Sequence, residues 1–425
     1  MRYFENPDKE SWKGIFARPE RNADDLRQIC LSVFNDVKLK GDEALKEYTL
    51  KFDKVALENV KVSEEEFEIA DRTVSDAFKE AVKLAHRNIS NFHNIQHVDK
   101  RSCENGPGVR CWQEMRAIEK VGLYVPGGSA PLFSTVLMLS VPAKIAGCKD
   151  IILCTPPSAQ GSVNPAILWT ARYCGVTAVY KVGGVQAIAA MTYGTESIPK
   201  VYKIFGPGNQ FVMAAKQCAQ GMGLAIDMPA GPSEVMVVAD ETADFRFVAS
   251  DLLSQAEHGP DSQVMFVTTD KKLAKGVSAE VEEQLSKLSR KGIASKSLEN
   301  STIVYFDTMD EAILFANEYS PEHLILSIKD YMDRVPQIVN AGSVFLGNYS
   351  PESAGDYASG TNHTLPTSGY AKAYSGVCLD SYMKKVSFQE ITKEGLEYLG
   401  DAIVTMAENE YLDAHANAVR IRLNK

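Results

Sequence analysis

Seven histidines in 425 residues leave few imidazoles to place, and four of them stand beside other groups able to hold metal or move protons. In Ser254-Gln-Ala-Glu-His-Gly-Pro-Asp261, Gln255 and His258 are three positions apart. A helix persisting to His258 would project both from one face of its C-terminal end, before Gly259-Pro260 stops it. Imidazole is a common metal ligand and a carboxamide a poor one. A plain helix cap, with His258 on the last carbonyls, competes with the metal reading. In Tyr319-Ser-Pro-Glu-His-Leu324, Pro321 disfavours helix for Ser320, so Glu322 and His323 are expected on a turn entering a strand. An adjacent carboxylate and imidazole suit proton transfer near neutrality. The alternative is a surface turn with two polar residues.

Asp356 and His363 fall in residues 348–369, which read as a long polar loop. Such a loop is costly to order unless a metal or a substrate holds it, and a solvated loop remains open as an explanation. Glu410 and His415 lie in a helical tail, where a charged solvated face is the ordinary account. His93 and His97 are four apart and His86 precedes them by two turns, but no carboxylate adjoins them as an obvious third ligand. They are read as a surface or interface face. Cys148 and Cys154 flank a predicted strand with no thiolate-stabilising group nearby, and are read as small core residues.

A nucleotide would ordinarily announce itself as Gly-x-Gly-x-x-Gly directly after a strand, and that fingerprint is absent. Three looser glycine turns follow predicted strands instead: Tyr124-Val-Pro-Gly-Gly-Ser-Ala130, Val182-Gly-Gly-Val-Gln-Ala187 and Phe205-Gly-Pro-Gly-Asn-Gln210. They would let backbone amides approach a ligand, which implies a crevice above a parallel sheet without naming its occupant.

The elements that must position these groups change character along the chain. Residues 1–100 read as helical, with residues 62–97 as a continuing run and no strand signal. From residue 121, short apolar runs alternate with helical stretches. The predicted strands cover 121–125, 150–154, 178–182, 201–204, 234–239, 263–268, 302–306, 324–327 and 343–346. Between them lie predicted helices over 163–173, 210–221, 243–257 and 273–288, among others. This alternation predicts mostly parallel sheets covered by helices, in two blocks joined by the Pro- and Gly-rich segment 227–233. From residue 388 the tail reads as helices without a strand partner.

Length and composition set the outer bounds. A chain of 425 residues exceeds one ordinary core, and 45% apolar with 24% charged residues is normal for a soluble globular protein. A net charge of -10 leaves no basic surplus for nucleic acid. The polar N-terminus predicts no secretory signal, and the longest apolar stretch, near residues 132–141, is too short to span a bilayer. Eight cysteines, none in a Cys-x-x-Cys pair, fit a reducing cytoplasm.

With these segments in place, the chain resembles the histidinol dehydrogenase family. The resembling stretches are 121–133, 183–190, 205–212, 226–238, 249–263, 318–324, 350–366 and 410–423. Blocks 227–234 and 252–263 carry the most weight, and the first hundred residues fit less distinctly.

The resemblance implies oxidation of L-histidinol through L-histidinaldehyde to L-histidine, with two NAD, by a cytoplasmic homodimer holding one zinc ion per subunit. It implies an α/β fold of two Rossmann-like parallel-sheet domains, aldehyde-dehydrogenase-like, with a helical N-terminal region and a helical C-terminal dimerisation tail. The matching division is an arm over 1–20, a helical part over 21–118, a NAD-binding domain over 119–232, a second Rossmann-like domain over 233–375 and an exchanged tail over 376–425.

Carried over by position, Gln255, His258 and Asp356 would ligate zinc, with His415 supplied by the partner's tail. Glu322 and His323 would be the acid–base pair, and Tyr124, Gln186 and Asn209 would contact NAD. Ser233, His363 and Glu410 would help hold the substrate, alongside His323 and the zinc ligands. Two rivals are a zinc hydrolase, against which no His-Glu-x-x-His helix is present, and a non-catalytic zinc protein, against which the scattered Gln and Asp look like an open site.

Overall fold

The computed structural model describes residues 1–19, 23–127 and 130–424; Gly128 and Ser129 of the first glycine turn, and residue 20 of the arm, lie outside these. The chain opens with β1 (Arg2–Glu5), α1 (Lys9–Ile15), α2 (Ala23–Lys40), α3 (Asp42–Asp53), α4 (Glu64–Thr73) and α5 (Asp76–Asn94). A hairpin follows, β2 (Ser102–Gly106) and β3 (Val109–Ala117). The first alternating block is β4 (Lys120–Tyr124), α6 (Phe133–Ala146), β5 (Asp150–Cys154), α7 (Pro165–Tyr173), β6 (Ala178–Tyr180), α8 (Gly184–Tyr193), β7 (Lys203–Phe205), α9 (Gln210–Gly221) and β8 (Ala225–Ile226). The second begins with β9 (Glu234–Ala239), α10 (Phe245–Ala256), β10 (Gln263–Thr268), α11 (Lys271–Lys287), α12 (Lys291–Glu299) and β11 (Thr302–Tyr305). It continues through α13 (Met309–Tyr319), β12 (His323–Ser327), α14 (Tyr331–Arg334), β13 (Ser343–Leu346) and α15 (Glu352–Tyr357). The tail holds β14 (Met383–Ile391), α16 (Lys393–Asn409) and α17 (Asp413–Arg422).

Two parallel sheets result, in the orders β6-β5-β4-β7-β8 and β1-β11-β10-β9-β12-β13, with a separate antiparallel sheet β14-β3-β2. In the first sheet the chain steps outward from β4 through β5 to β6, then returns to the other side of β4 for β7 and β8. That reversal opens a crevice beyond the carboxyl ends of β4 and β7. All residues of β9, β10 and β12 are buried. Helices cover both their faces, which is why these strands read as unbroken apolar runs rather than alternating ones.

Five sequence expectations are corrected. The first hundred residues do contain a strand: β1 pairs in parallel with β11 and forms the edge of the second sheet. Residues 62–97 form two helices, because Ser75 caps α5 by accepting from the Phe78 N–H. The tail is not purely helical, since β14 runs to Ile391 antiparallel to β3, with Phe388 opposite Trp112 and their rings stacked. The polar segment 348–369 contains α15 and several buried side chains, among them Glu352, Asn362 and Thr364. His93 lies on no surface: it is fully buried, its Nδ1 donates to the Ile89 carbonyl (2.9 Å), and Asn362 donates to its Nε2 (3.4 Å).

Candidate functional site

The two sheets meet with opposite edges. The first offers the turns after the carboxyl ends of its strands, and the second offers the amino ends of β9 and β12. Between them lies a cavity of about 330 Å³. Of the residues singled out from sequence, Asn209, Ser233, Gln255, His258, Glu322, His323, Asp356 and His363 line it.

Local chemistry explains how each wall is held. Asn209 caps α9, its side-chain oxygen accepting from the Phe211 and Val212 N–H groups (3.1 and 3.2 Å). The turn before it is pinned from both sides: Gly206 donates to Asp227 Oδ2 (2.8 Å), and its carbonyl accepts from Lys216 Nζ (2.9 Å). Lys216 and Asp227 are themselves a buried ion pair. Gly206 is required there, because φ is +137° and a Cβ would lie 2.1 Å from the Tyr124 carbonyl. Tyr124 closes β4, and its buried hydroxyl accepts from the Gly184 N–H (3.1 Å). Burial pushes that phenol up to about 12.

The helix α10 ends at Ala256, so Gln255 projects from its last turn while His258 lies just beyond it. Gln255 is buried. In the orientation that satisfies both ends of its amide, it donates to Glu352 Oε2 (3.1 Å) and accepts from the Glu234 N–H (3.2 Å). His258 is 37% exposed at the cavity. Asp356, on α15, is faced by three imidazoles: His363 Nδ1 at 3.7 Å, His323 Nε2 at 3.8 Å and His258 Nε2 at 3.9 Å from its carboxylate oxygens. His363 is fixed by donating from Nδ1 to the Asp356 carbonyl (3.0 Å), which leaves its Nε2 toward Thr135 of α6 (3.2 Å). His323 opens β12, and its Nδ1 donates to the Glu234 carbonyl (3.1 Å). Its buried Nε2 has no hydrogen-bond partner among the described residues.

The electrostatics divide the histidines. Burial lowers His258 and His363, outweighing the attraction of Asp356, so both favour the neutral form that ligates metals. Burial alone would also lower His323, but the carboxylates of Glu322, Glu352 and Asp356 together raise it to about 10. Burial raises Glu322 and Glu352 against the opposing pull of His323.

The remaining sequence candidates are placed elsewhere. Tyr124 and Gln186 are buried beneath the Gly183-Gly184 turn and do not line this cavity. Glu410 and His415 are exposed on the tail and are absent from the cavity wall of their own chain. Sequence reasoning overlooked Glu352, although it stands next to Pro351 in the polar segment it singled out. Glu352 is buried, accepts from Ser254 Oγ (3.0 Å), and lies 3.9 Å from His323 Nδ1. Glu234 was also overlooked, because an apolar strand gives no signal for a buried carboxylate at its first position.

The profile of the family described as "Histidinol dehydrogenase" matches residues 16–423. The "Histidinol dehydrogenase" of Bacteroides thetaiotaomicron is 57% identical over 424 residues, spanning 100% of this chain and 99% of the relative. That of Vibrio vulnificus is 53% identical over 395 residues, 92% of this chain and 91% of the relative. The crystal structure of histidinol dehydrogenase from Elizabethkingia anophelis superposes with a TM-score of 0.97 at 55% identity, covering 100% of this chain and 98% of that one. An acetylating aldehyde dehydrogenase from Geobacillus thermoglucosidasius shares the fold alone, with a TM-score of 0.50 at 14% identity over 89% of this chain and 94% of that one. A cavity walled by these groups, in a chain matched from end to end at this identity, places the protein in the histidinol dehydrogenase family.

Proposed function

We propose that the protein oxidises L-histidinol through L-histidinaldehyde to L-histidine, using NAD and one zinc ion per subunit. The observation that carries this reading is the Asp356 carboxylate surrounded by three imidazoles, one of which, His323, is paired with the buried Glu322.

The residues present fit both groups. Ligand atoms of His258, Glu352 and Asp356 lie within 4.8 Å of one another, a mixed nitrogen and oxygen set suited to zinc. Gln255, His258 and Asp356 would hold the ion, with Glu352 orienting the Gln255 amide from behind. NAD would lie along the glycine turns at the amino end of α9, where Gly206 and Gly208 leave room for a ligand to approach the backbone closely. When bound, zinc would grip the substrate's amine and imidazole nitrogens and offset the carboxylates that otherwise keep His323 protonated, while NAD would take up hydride.

The chain's own groups do the proton work. With Nδ1 committed to the Glu234 carbonyl, His323 presents Nε2 to the cavity, where it accepts the alcohol proton. Glu322, steadied by the Glu234 N–H (2.8 Å), accepts a proton from the water that attacks the aldehyde. The buried walls keep the aldehyde from escaping between the two oxidations. Glu410 and His415 would complete the site of the partner subunit of a homodimer, which accounts for their exposure in the single chain. Large apolar groups exposed on the same tail, including Tyr398, Met406 and Tyr411, support a partner there. No helix among the described residues is long and apolar enough to cross a membrane, in keeping with a cytoplasmic enzyme.

Exhaustive chelation should abolish histidinol oxidation, and added zinc should restore it. Full activity in a verified metal-free sample would sink the zinc assignment.

A further inference from the structure

One residue's peptide groups hold both members of the acid–base pair. The Glu234 N–H donates to Glu322 Oε2 (2.8 Å), and the Glu234 carbonyl accepts from His323 Nδ1 (3.1 Å). The placement of Glu234 therefore sets the carboxylate and the imidazole together. Its own side chain is 3% exposed and is gripped by Arg18, a residue 216 positions away in the arm after α1. Arg18 Nε donates to Glu234 Oε1 (2.5 Å) and Nη2 to Oε2 (3.1 Å), a two-pronged contact with a fixed plane.

The same guanidinium reaches the other catalytic segment. Nη2 also donates to the Tyr319 carbonyl (3.1 Å), and the guanidinium carbon sits 4.0 Å from the centre of the Tyr319 ring. Tyr319 ends α13, three residues before Glu322, and Ser320 between them holds a left-handed backbone. Tyr319 is anchored in turn: its hydroxyl donates to Gln263 Oε1 (2.7 Å), and Gln263 Nε2 donates to the Ala17 carbonyl (2.9 Å), beside Arg18. A third segment joins through the Ser368 N–H, which donates to Glu234 Oε1 (2.9 Å) five residues beyond His363. One cation thus ties together the amino end of β9, the turn into β12 and the segment after His363.

We infer that Arg18 is a positioning residue for the reaction: by clamping Glu234 and Tyr319 together it fixes Glu322 and His323 in register, without touching substrate. This rests on the catalytic roles proposed above for Glu322 and His323. The edge strand β1 and helix α1 thereby acquire a purpose, which is to deliver Arg18 beneath the site.

The test measures kcat and KM for histidinol in the zinc-loaded dimer of the wild type, Arg18→Ala, Arg18→Lys, Glu322→Gln and the double variant Arg18→Ala/Glu322→Gln. Arg18→Ala should lower kcat about 10²-fold, the scale of a displacement near 1 Å at the reacting groups, and leave KM nearly unchanged. Arg18→Lys should recover only part of the loss, because an ammonium cannot serve Glu234 and the Tyr319 carbonyl in one plane. The double variant should be scarcely worse than Glu322→Gln, since both changes disable the same unit. An Arg18→Ala enzyme with kcat within about twofold of wild type would overturn the clamp, as would losses that multiply in the double variant. Should Arg18→Ala fail to fold, Arg18→Lys and its double with Glu322→Gln decide by the same two criteria. A wild-type-like Glu322→Gln enzyme would overturn the catalytic assignment and the clamp with it. A crippled Glu322→Gln beside an untouched Arg18 variant would overturn the clamp alone.

Discussion

Buried carboxyl groups give the site its character, and each is tuned by what surrounds it. Asp251, on α10 behind the cavity, is raised to about 7 by burial, with the Glu352 N–H pulling the other way. Its ordinary value is 3.8, so across the window from there to about 7 the folded chain keeps a proton that the unfolded chain has released. Stability contributed by that proton is full below the window, falls as pH rises through it and levels off above. Asp251→Asn should remove the fall. Urea unfolding at about pH 5 and about pH 8 should show the wild type losing on the order of 2 kcal/mol relative to the variant. Parallel pH dependence of the two proteins would contradict the burial argument. The site was legible at this scale where residue type and chemistry coincide: His258, Glu322, His323, Asp356 and His363 drew attention as scarce polar groups near element ends. Glu352, Glu234 and Arg18 were not legible. Their importance lies in contacts across 98 and 216 positions of sequence, and no local pattern marks them.

Elements were readable in proportion to their burial. The strands from residue 120 to 239 and from 263 to 346, apart from the two-residue β8, stood out because short apolar runs are bounded by glycine, proline and polar residues, and β5, β9, β10 and β13 fall where expected. β2, β3 and β14 did not stand out. Ser-Cys-Glu-Asn-Gly, Val-Arg-Cys-Trp-Gln-Glu-Met-Arg-Ala and Met-Lys-Lys-Val-Ser-Phe-Gln-Glu-Ile are largely solvated strands whose pairing partners supply the order. β1 is four residues on a sheet edge, too short to signal itself.

The start of β13 offers a test at the same scale. Gly342 donates to the Pro321 carbonyl (3.0 Å), and a Cβ on it would lie 2.5 Å from the Glu322 carbonyl oxygen. Gly342→Ala must push the peptide that carries the Glu322 carboxylate. A stability loss of about 1–3 kcal/mol with a falling kcat is expected from urea unfolding and steady-state rates. A variant with wild-type values for both would show that this close approach constrains nothing.

The whole molecule sets the carboxyl edge of one parallel sheet against the amino edge of the other, so glycine turns and helix starts face acid–base groups across one cavity. Alone, the chain leaves Glu410 and His415 outside that cavity. The exchanged tail is testable by mixing two inactive chains, Asp356→Ala and His415→Ala, through co-expression. In a mixed dimer with two-fold symmetry one core is intact and receives an intact tail, while the other site is doubly damaged. Random pairing makes about half the dimers mixed, so about a quarter of normal activity should return. No recovery, with mixed dimers shown to be present, would rule the exchange out.

A four-electron oxidation in one cavity fixes the ratio of products, and that ratio can be measured. Zinc-loaded protein should be given limiting L-histidinol and excess NAD, with NADH followed by its absorbance and histidine by chromatography. Two NADH are expected for each histidine formed, with no free aldehyde accumulating. One NADH per histidinol with aldehyde released, or no NADH at all, would contradict the four-electron oxidation.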